Sequence, residues 1–109
     1  MLFTEDRIIA EIRRIGDAIA RLLGVPGALE IVRDDLDAAH RSLFGLPRDL
    51  TARLDPRSLA AMVRADHRDA AIELLETEAT LLEAAGDAGA AAVRRAQAEA
   101  IQRASSRGT

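Results

Sequence analysis

Apolar residues recur every three or four positions along most of the chain, which is the spacing that brings them to one face of an α-helix. The first helix predicted in this way covers residues 5–23 and stops before Gly24. Its apolar stripe consists of Ile8, Ile12, Ile15, Ile19 and Leu22. Further apolar and small residues widen this face beyond the ~100° arc that covers one core. The helix is therefore expected to contact two neighbours, or one neighbour and a second subunit.

The same spacing, together with residues that usually end helices, predicts four more helices. They cover approximately residues 26–44, 57–65, 69–85 and 88–104, and residues 46–54 form one helical turn at most. Gly45 and Gly86 are the predicted ends of two of them, and Asp55 and Asp87 are predicted N-caps. Because the connection at Gly86 is so short, the last two helices are expected to form an antiparallel hairpin.

The composition favours the same fold class. Of the 109 residues, 49% are hydrophobic, and the only aromatic ones are Phe3 and Phe44. The apolar volume comes mainly from Leu, Ile, Val and Ala, and Ala and Leu are the strongest helix formers. We therefore predict an all-α bundle of four to five helices. It forms one domain over residues 1–104, followed by a flexible polar tail over residues 105–109.

The charge pattern argues against several classes of function. The formal net charge is −3, and all 15 basic residues are Arg, a bias typical of GC-rich bacterial genomes. Acidic residues are interleaved with the arginines, which is typical of a solvated surface and not of a nucleic-acid interface. The chain has no cysteine, which excludes disulfides and thiolate metal ligands. No segment approaches the ~20 apolar residues of a membrane span, and no secretory signal is recognised, so a cytoplasmic protein is expected.

Glu78 is the charge that the helical projection singles out. It falls inside the apolar arc of its predicted helix, whereas Glu73, Glu76 and Glu83 project outward. A carboxylate that faces a core is costly unless it is paired. Arg94 on the last predicted helix also projects inward, so a buried Glu78–Arg94 ion pair is expected. A ligand-facing acid in a groove is the alternative.

The two histidines are further candidates for chemistry. His40 lies on the apolar stripe of the second predicted helix, three residues after Asp37, and a carboxylate-x-x-His pair of this kind can bind a metal in a helical bundle. The sequence has no second pair of this kind, so a hydrogen-bonded His at the core margin is the simpler interpretation. His67 lies between Asp66 and Arg68 and is expected to be a solvated residue at a helix boundary.

Two segments resemble known families. The acidic pair at residues 5–6 and the Ile-rich amphipathic helix after it resemble the start of a small bacterial helical family of unknown function. The terminal hairpin is similar to one tetratricopeptide repeat. The residues that carry this second resemblance are Glu78, Ala79, Leu82, Gly86, Asp87, Ala91 and Ala98. The hairpin departs from that repeat at Arg95, where a large apolar residue is usual, and about three such repeats are needed to form a groove. Neither resemblance implies a catalytic residue.

The predicted function is a non-enzymatic protein–protein interaction or structural module without a cofactor. Its expected partner is a second copy of the chain, in a homodimer, or another protein, because the stripe of the first helix has the spacing of a coiled-coil seam. The same stripe could equally be internal core. Two alternatives stay open. One is a small helical enzyme or metal-binding bundle that uses Asp37, His40 and Glu78. The other is a nucleic-acid or membrane-surface binder that uses its arginines.

Overall fold

Six α-helices and one 3₁₀ turn form the chain in the computed structural model, which describes residues 4–107 and the side chains of residues 7–105. The helices are α1 (Thr4–Leu22), α2 (Ala28–Phe44), α3 (Arg48–Thr51), α4 (Pro56–Met62), α5 (Arg68–Ala84) and α6 (Ala88–Arg107). The 3₁₀ turn, Ala65–His67, lies between α4 and α5. No strand occurs in the described residues, so the prediction of an all-α fold is confirmed.

The residues between the last two helices explain why the chain reverses there. Gly86 has a φ of +89°, a left-handed conformation that residues with a Cβ rarely adopt. Its N–H bonds to the carbonyl of Glu83 at 3.0 Å, and the N–H of Asp87 bonds to the carbonyl of Leu82 at 2.9 Å. The Asp87 carboxylate then accepts a hydrogen bond from the N–H of Ala90 at 3.0 Å and caps α6. α5 and α6 thus form the predicted hairpin.

Two central helices differ from their predicted bounds. α2 begins at Ala28 and not near Pro26, because Gly27 has a φ of +77° that an α-helix cannot contain. α4 has its predicted N-cap at Asp55 but ends at Met62, where the prediction extended it to residue 65. The backbone becomes extended after this residue, which lets the chain turn before α5 begins.

The C-terminal helix is longer than predicted. α6 continues to Arg107, so residues 105–107 of the predicted flexible tail are helical. No Gly or Pro occurs between residues 90 and 107, and nothing in this part of the sequence stops a helix. Residues 108–109 of the predicted tail lie outside the described residues.

α5 lies at the centre of the bundle. It packs along α6 and also contacts α1 and α2, while α4 packs against α6. The largest fully buried apolar side chains are Ile12, Ile19, Leu36, Leu59, Leu74, Leu75, Leu81 and Ile101. Near the turn of the hairpin, Ala79 and Leu82 of α5 pack with Ala91 of α6 in a smaller apolar cluster. The small side chains there let the two helices approach closely.

The apolar stripe of α1 is part of this core, which corrects the prediction of a self-association surface. Ile12, Ile15 and Ile19 are buried inside the single chain, where α1 packs against α5 and α2. Ile8 and Leu22, at the two ends of the stripe, are half-buried against the same core. Since a buried side chain cannot also cover a partner, the stripe Ile8, Ile12, Ile15, Ile19 and Leu22 is not a free dimer seam.

No helix within residues 4–107 has both the length and the apolar character needed to cross a lipid bilayer. The longest helix, α6, has 20 residues but carries Arg94, Arg95, Glu99 and Arg103.

Gly16, in the middle of α1, provides a test of this packing. A Cβ at this position would meet no atom within 4 Å in the described part of the chain. Because Gly costs about 0.5–1 kcal/mol relative to Ala inside a helix, we expect Gly16→Ala to raise the free energy of unfolding by that amount. Chemical denaturation followed by circular dichroism measures the change. A destabilised variant would contradict the open environment of Gly16 and would indicate that another surface packs on it.

Candidate functional site

A cluster of polar side chains is buried between four of the helices. It consists of His40 from α2, Arg48 and Thr51 from α3, Glu78 from α5, and Arg94 and Gln97 from α6. Five of the six are almost completely buried, and only Arg48 is partly exposed, with 22% of its side-chain surface accessible. We call these six residues the polar cluster. Their burial is unusual, because charged residues are almost never fully buried unless they are paired.

Glu78 is the centre of the polar cluster. Its Oε1 bonds to His40 Nε2 at 2.9 Å. Its Oε2 accepts hydrogen bonds from Arg48 Nε at 2.6 Å and from Arg94 Nε at 3.1 Å. The expected Glu78–Arg94 ion pair is thus present, and both side chains are buried. The sequence did not predict the other two partners, His40 and Arg48.

These contacts determine the protonation of the cluster. Burial by itself raises the pKa of the Glu78 carboxyl, but hydrogen bonding to His40 and the charges of Arg94 and Arg48 outweigh it and hold the pKa at about 2. Glu78 is therefore ionised at neutral pH. Burial lowers the pKa of His40 below its ordinary value of 6.5, although the adjacent Glu78 acts in the opposite direction. His40 is therefore neutral and donates its Nε2–H to Glu78.

A neutral His40 has one ring nitrogen left as an acceptor. Thr51 Oγ1 lies 2.8 Å from His40 Nδ1 and 2.9 Å from the carbonyl of Arg48. The hydroxyl has a single proton, which it donates to Nδ1 when His40 is neutral. The carbonyl of Arg48 still accepts a hydrogen bond from Arg94 Nη2 at 3.2 Å. The buried groups thus satisfy one another.

Further bonds of the cluster attach the one-turn helix α3 to α6. Arg94 Nη1 donates to Thr51 Oγ1 at 3.3 Å and to Gln97 Oε1 at 2.9 Å. Gln97 Nε2 donates to the carbonyls of Thr51 at 2.9 Å and Leu54 at 3.1 Å. Because an isolated helical turn is unstable in water, these buried bonds keep α3 in place.

The order carboxylate, imidazole, hydroxyl in Glu78, His40 and Thr51 is that of a catalytic triad. A nucleophile must reach a substrate, however, and Thr51 is completely buried. Its hydroxyl already bonds to His40, and Arg94 Nη1 donates to it. In this conformation the three residues support the fold and offer no accessible nucleophile.

The suggested metal site is not assembled either. Both ring nitrogens of His40 are bonded, to Glu78 and Thr51. The Asp37 carboxylate points to other partners: it accepts from Arg41 Nε at 2.9 Å and from the backbone N–H of Arg48 at 2.8 Å. Among the described side chains, no group of three His, Asp or Glu residues is arranged to hold a metal ion. Asp37, His40 and Glu78 therefore do not form one joint ligand set.

His67 differs from its predicted environment. It is only 2% exposed, whereas the sequence predicted a solvated residue, and its Nε2 has no hydrogen-bond partner among the described residues. The charged neighbours Asp66 and Arg68 suggested exposure. The 3₁₀ turn nevertheless packs against α5 and α1 and places this side chain in the interior.

Beside the polar cluster lies an open cavity of about 350 Å³ between α3 and α6, which we call the α3–α6 cleft. Arg48 and Asp49 line it from α3, Ala52 lines it directly after α3, and Leu82 lines it from α5. The wall from α6 consists of Gly89, Ala90, Val93 and Arg94. Arg48 and Arg94 belong both to the cleft and to the polar cluster, so the buried network positions the charged wall of an accessible cavity.

The chain matches no protein-family model, and no curated protein or solved structure is significantly similar to it. The functional interpretation therefore rests on the geometry of the polar cluster and the α3–α6 cleft. The resemblances of the first helix and the terminal hairpin stay predictions.

Proposed function

We propose that the protein is a non-catalytic interaction module that binds an acidic segment of a partner protein in the α3–α6 cleft. One observation carries this proposal. Arg48 Nε donates to Glu78, but neither terminal nitrogen of that guanidinium bonds to a residue in the described part of the chain. Arg48 therefore presents free hydrogen-bond donors beside the cleft, and a carboxylate is the protein group that fits them best.

Arg48 is held in position before any partner arrives. Asp37 accepts its backbone N–H, Arg94 donates to its carbonyl, and Glu78 accepts its Nε–H. A side chain that is already ordered loses less conformational entropy when it binds. This pre-ordering would favour recognition of a partner by the guanidinium.

The charges and walls of the cleft indicate the kind of segment that fits. At neutral pH the polar cluster has the negative charge of Glu78 and the positive charges of Arg48 and Arg94, so one positive charge remains on this wall, opposed by Asp49 on the rim of the cleft. Apolar surface from Ala52, Leu82, Ala90 and Val93 lines the same cavity. A segment with an acidic residue next to an aliphatic one would bind both the arginine and the apolar wall of the cleft. A catalytic alternative finds less support, because Thr51, whose hydroxyl completes the triad-like order among the described residues, is buried.

The proposal predicts that Arg48→Gln weakens binding of an acidic peptide. Suitable probes are a short acetylated peptide containing Leu-Glu and its Leu-Gln counterpart, titrated into ¹⁵N-labelled protein and followed by NMR. The wild type should bind the Leu-Glu peptide with shifts at Gly89, Ala90 and Val93. Arg48→Gln should weaken this binding about tenfold or more, since hydrogen bonds to charged groups contribute about 1.5–3 kcal/mol.

Two further variants test whether the effect is specific. Arg53→Gln is the matched control, because Arg53 is exposed and does not line the cleft. Its affinity for the peptide should not change. Asp49→Asn removes a negative charge from the rim of the cleft and should strengthen binding of the acidic peptide. The proposal would be contradicted if the wild type bound the Leu-Glu and Leu-Gln peptides equally well. It would also be contradicted if Arg48→Gln and Arg53→Gln lowered the affinity for the Leu-Glu peptide equally.

A further inference from the structure

A second cleft lies between α4, the start of α5 and the last turns of α6. Its volume is about 280 Å³. Ala60, Val63 and Ala100 are buried and form its apolar floor, and Arg57 and Arg68 line it as well. We call it the α4–α6 cleft. It shares no lining residue with the α3–α6 cleft, so a proposal for the α4–α6 cleft does not rest on the proposed peptide binding.

The α4–α6 cleft has an excess of positive charge. Two guanidinium groups line it, and none of the described lining residues is acidic. Of the nearby acids, Asp55 caps α4, where it accepts the N–H of Ser58 at 2.7 Å, and the charge of Arg57 also acts on its carboxylate. Asp69 follows Arg68 on α5 and is exposed. The described lining of the α4–α6 cleft is therefore positively charged.

Arg68 also has a buried donor that lacks an acceptor. Its Nε is inaccessible to solvent and has no hydrogen-bond partner in the described part of the chain. Buried polar groups are nearly always hydrogen-bonded, and a buried unpaired donor is unfavourable. Because this nitrogen is inaccessible, a ligand in the α4–α6 cleft would bond to the terminal nitrogens of the Arg68 guanidinium, which have no partner among the described residues either.

We propose that the α4–α6 cleft binds the phosphate group of a monoester. A phosphate monoester has a charge of about −1.5 to −2 at pH 7, which matches the two arginines better than a single carboxylate does. The planar guanidinium offers paired donors to phosphate oxygens. The floor of Ala60, Val63 and Ala100 accommodates the organic part of the ester.

NMR titration of the ¹⁵N-labelled wild type with phenyl phosphate, inorganic phosphate and benzoate at constant ionic strength tests the site. Phenyl phosphate should bind, with shifts at Ala60, Ala61, Val63 and Arg68, and benzoate should bind more weakly because it has one charge. If inorganic phosphate binds as tightly as phenyl phosphate, free phosphate is identified as the ligand. If inorganic phosphate binds more weakly than phenyl phosphate, the ligand is an ester with an apolar organic group. No binding of either phosphate, or shifts elsewhere, overturns the proposal.

Substitution of the arginines provides the second test. Arg57→Gln and Arg68→Gln should each weaken phenyl phosphate binding about tenfold or more, whereas Arg53→Gln, which removes an exposed guanidinium outside the cleft, should not. An equal loss of affinity for phenyl phosphate in all three variants would indicate an unspecific electrostatic attraction between the protein and the anion, and would overturn the proposal. Thermal unfolding of each variant establishes that it is folded. If a variant does not fold, the chemical-shift changes of the wild-type protein with phenyl phosphate decide whether the α4–α6 cleft is the binding site.

Discussion

Replacing Glu78 by Gln is expected to lower the free energy of unfolding by about 3–5 kcal/mol. Glu78 is completely buried and accepts hydrogen bonds from Arg48 and Arg94, while His40 donates to its other oxygen. The amide has no charge to offset the two guanidiniums and has one acceptor oxygen in place of two. Arg94 is itself buried, so its charge would be left without a counter-ion. Urea denaturation of wild type and variant measures the difference.

Glu76→Gln is the matched control for this experiment. Glu76 lies on the same helix, α5, and is exposed, so its substitution should change the free energy of unfolding by no more than about 0.5 kcal/mol. The double variant Glu78→Gln/Arg94→Met removes both partners of the ion pair. It should be less destabilised than the sum of the two single variants, because no unpaired charge is left at that contact. A Glu78→Gln variant as stable as the wild type would contradict the role given to the polar cluster.

The free energy of unfolding should also decrease as the pH is lowered through the acid range. The pKa of Glu78 is about 2 in the folded protein, below its ordinary value of 4.5. Its carboxylate therefore stabilises the fold above pH 4.5, and this stabilisation is lost as the pH falls from 4.5 towards 2. At about 1.4 kcal/mol per pKa unit, the loss amounts to about 3 kcal/mol.

His40 acts in the same direction at higher pH. Burial lowers its pKa in the folded protein below 6.5, so the folded state favours the neutral ring. The stabilisation is complete above pH 6.5 and decreases as the pH falls below that value, because the unfolded chain then binds the proton more readily. Protonation would also place a third positive charge next to Arg48 and Arg94 in the polar cluster.

Two variants separate these contributions. Urea denaturation at a series of pH values should show a flatter profile between pH 4.5 and 2 for Glu78→Gln than for the wild type. His40→Gln should lack the part of the decrease that begins near pH 6.5. If both variants follow the wild-type profile in parallel, the pH dependence comes from groups outside the polar cluster.

Local sequence patterns were sufficient to predict the long helices and the hairpin. The apolar spacing, the cap at Asp87 and the left-handed Gly86 act over a few neighbouring residues, so they can be recognised without the fold. Prediction of α2 was less accurate, because Pro26 is compatible with a first helical turn but the positive φ of Gly27 delays the start. For α6 the predicted helix was too short and not too long. The polar residues after residue 104 suggested a tail, but polar residues are also compatible with a helix.

The candidate site was only partly predictable. The helical projection identified Glu78 and Arg94 because both charges lie on otherwise apolar faces of long helices. Arg48 and Thr51 were missed, since they lie in a one-turn helix that has no hydrophobic period of its own. Arg48 also has an acidic neighbour, Asp49, in a segment that looks like solvated surface.

The sequence by itself determined that this protein is helical, where its main helices reverse, and that a charge at Glu78 needs a partner. These properties depend on interactions between residues that are close along the chain. Only the tertiary structure decided that the stripe of α1 is used in the core and that His67 is buried. It also brought Arg48, from a separate one-turn helix, to Glu78 beside a cleft. The physical reason is that burial and pairing depend on which helix faces lie opposite one another, and packing sets this across the whole chain.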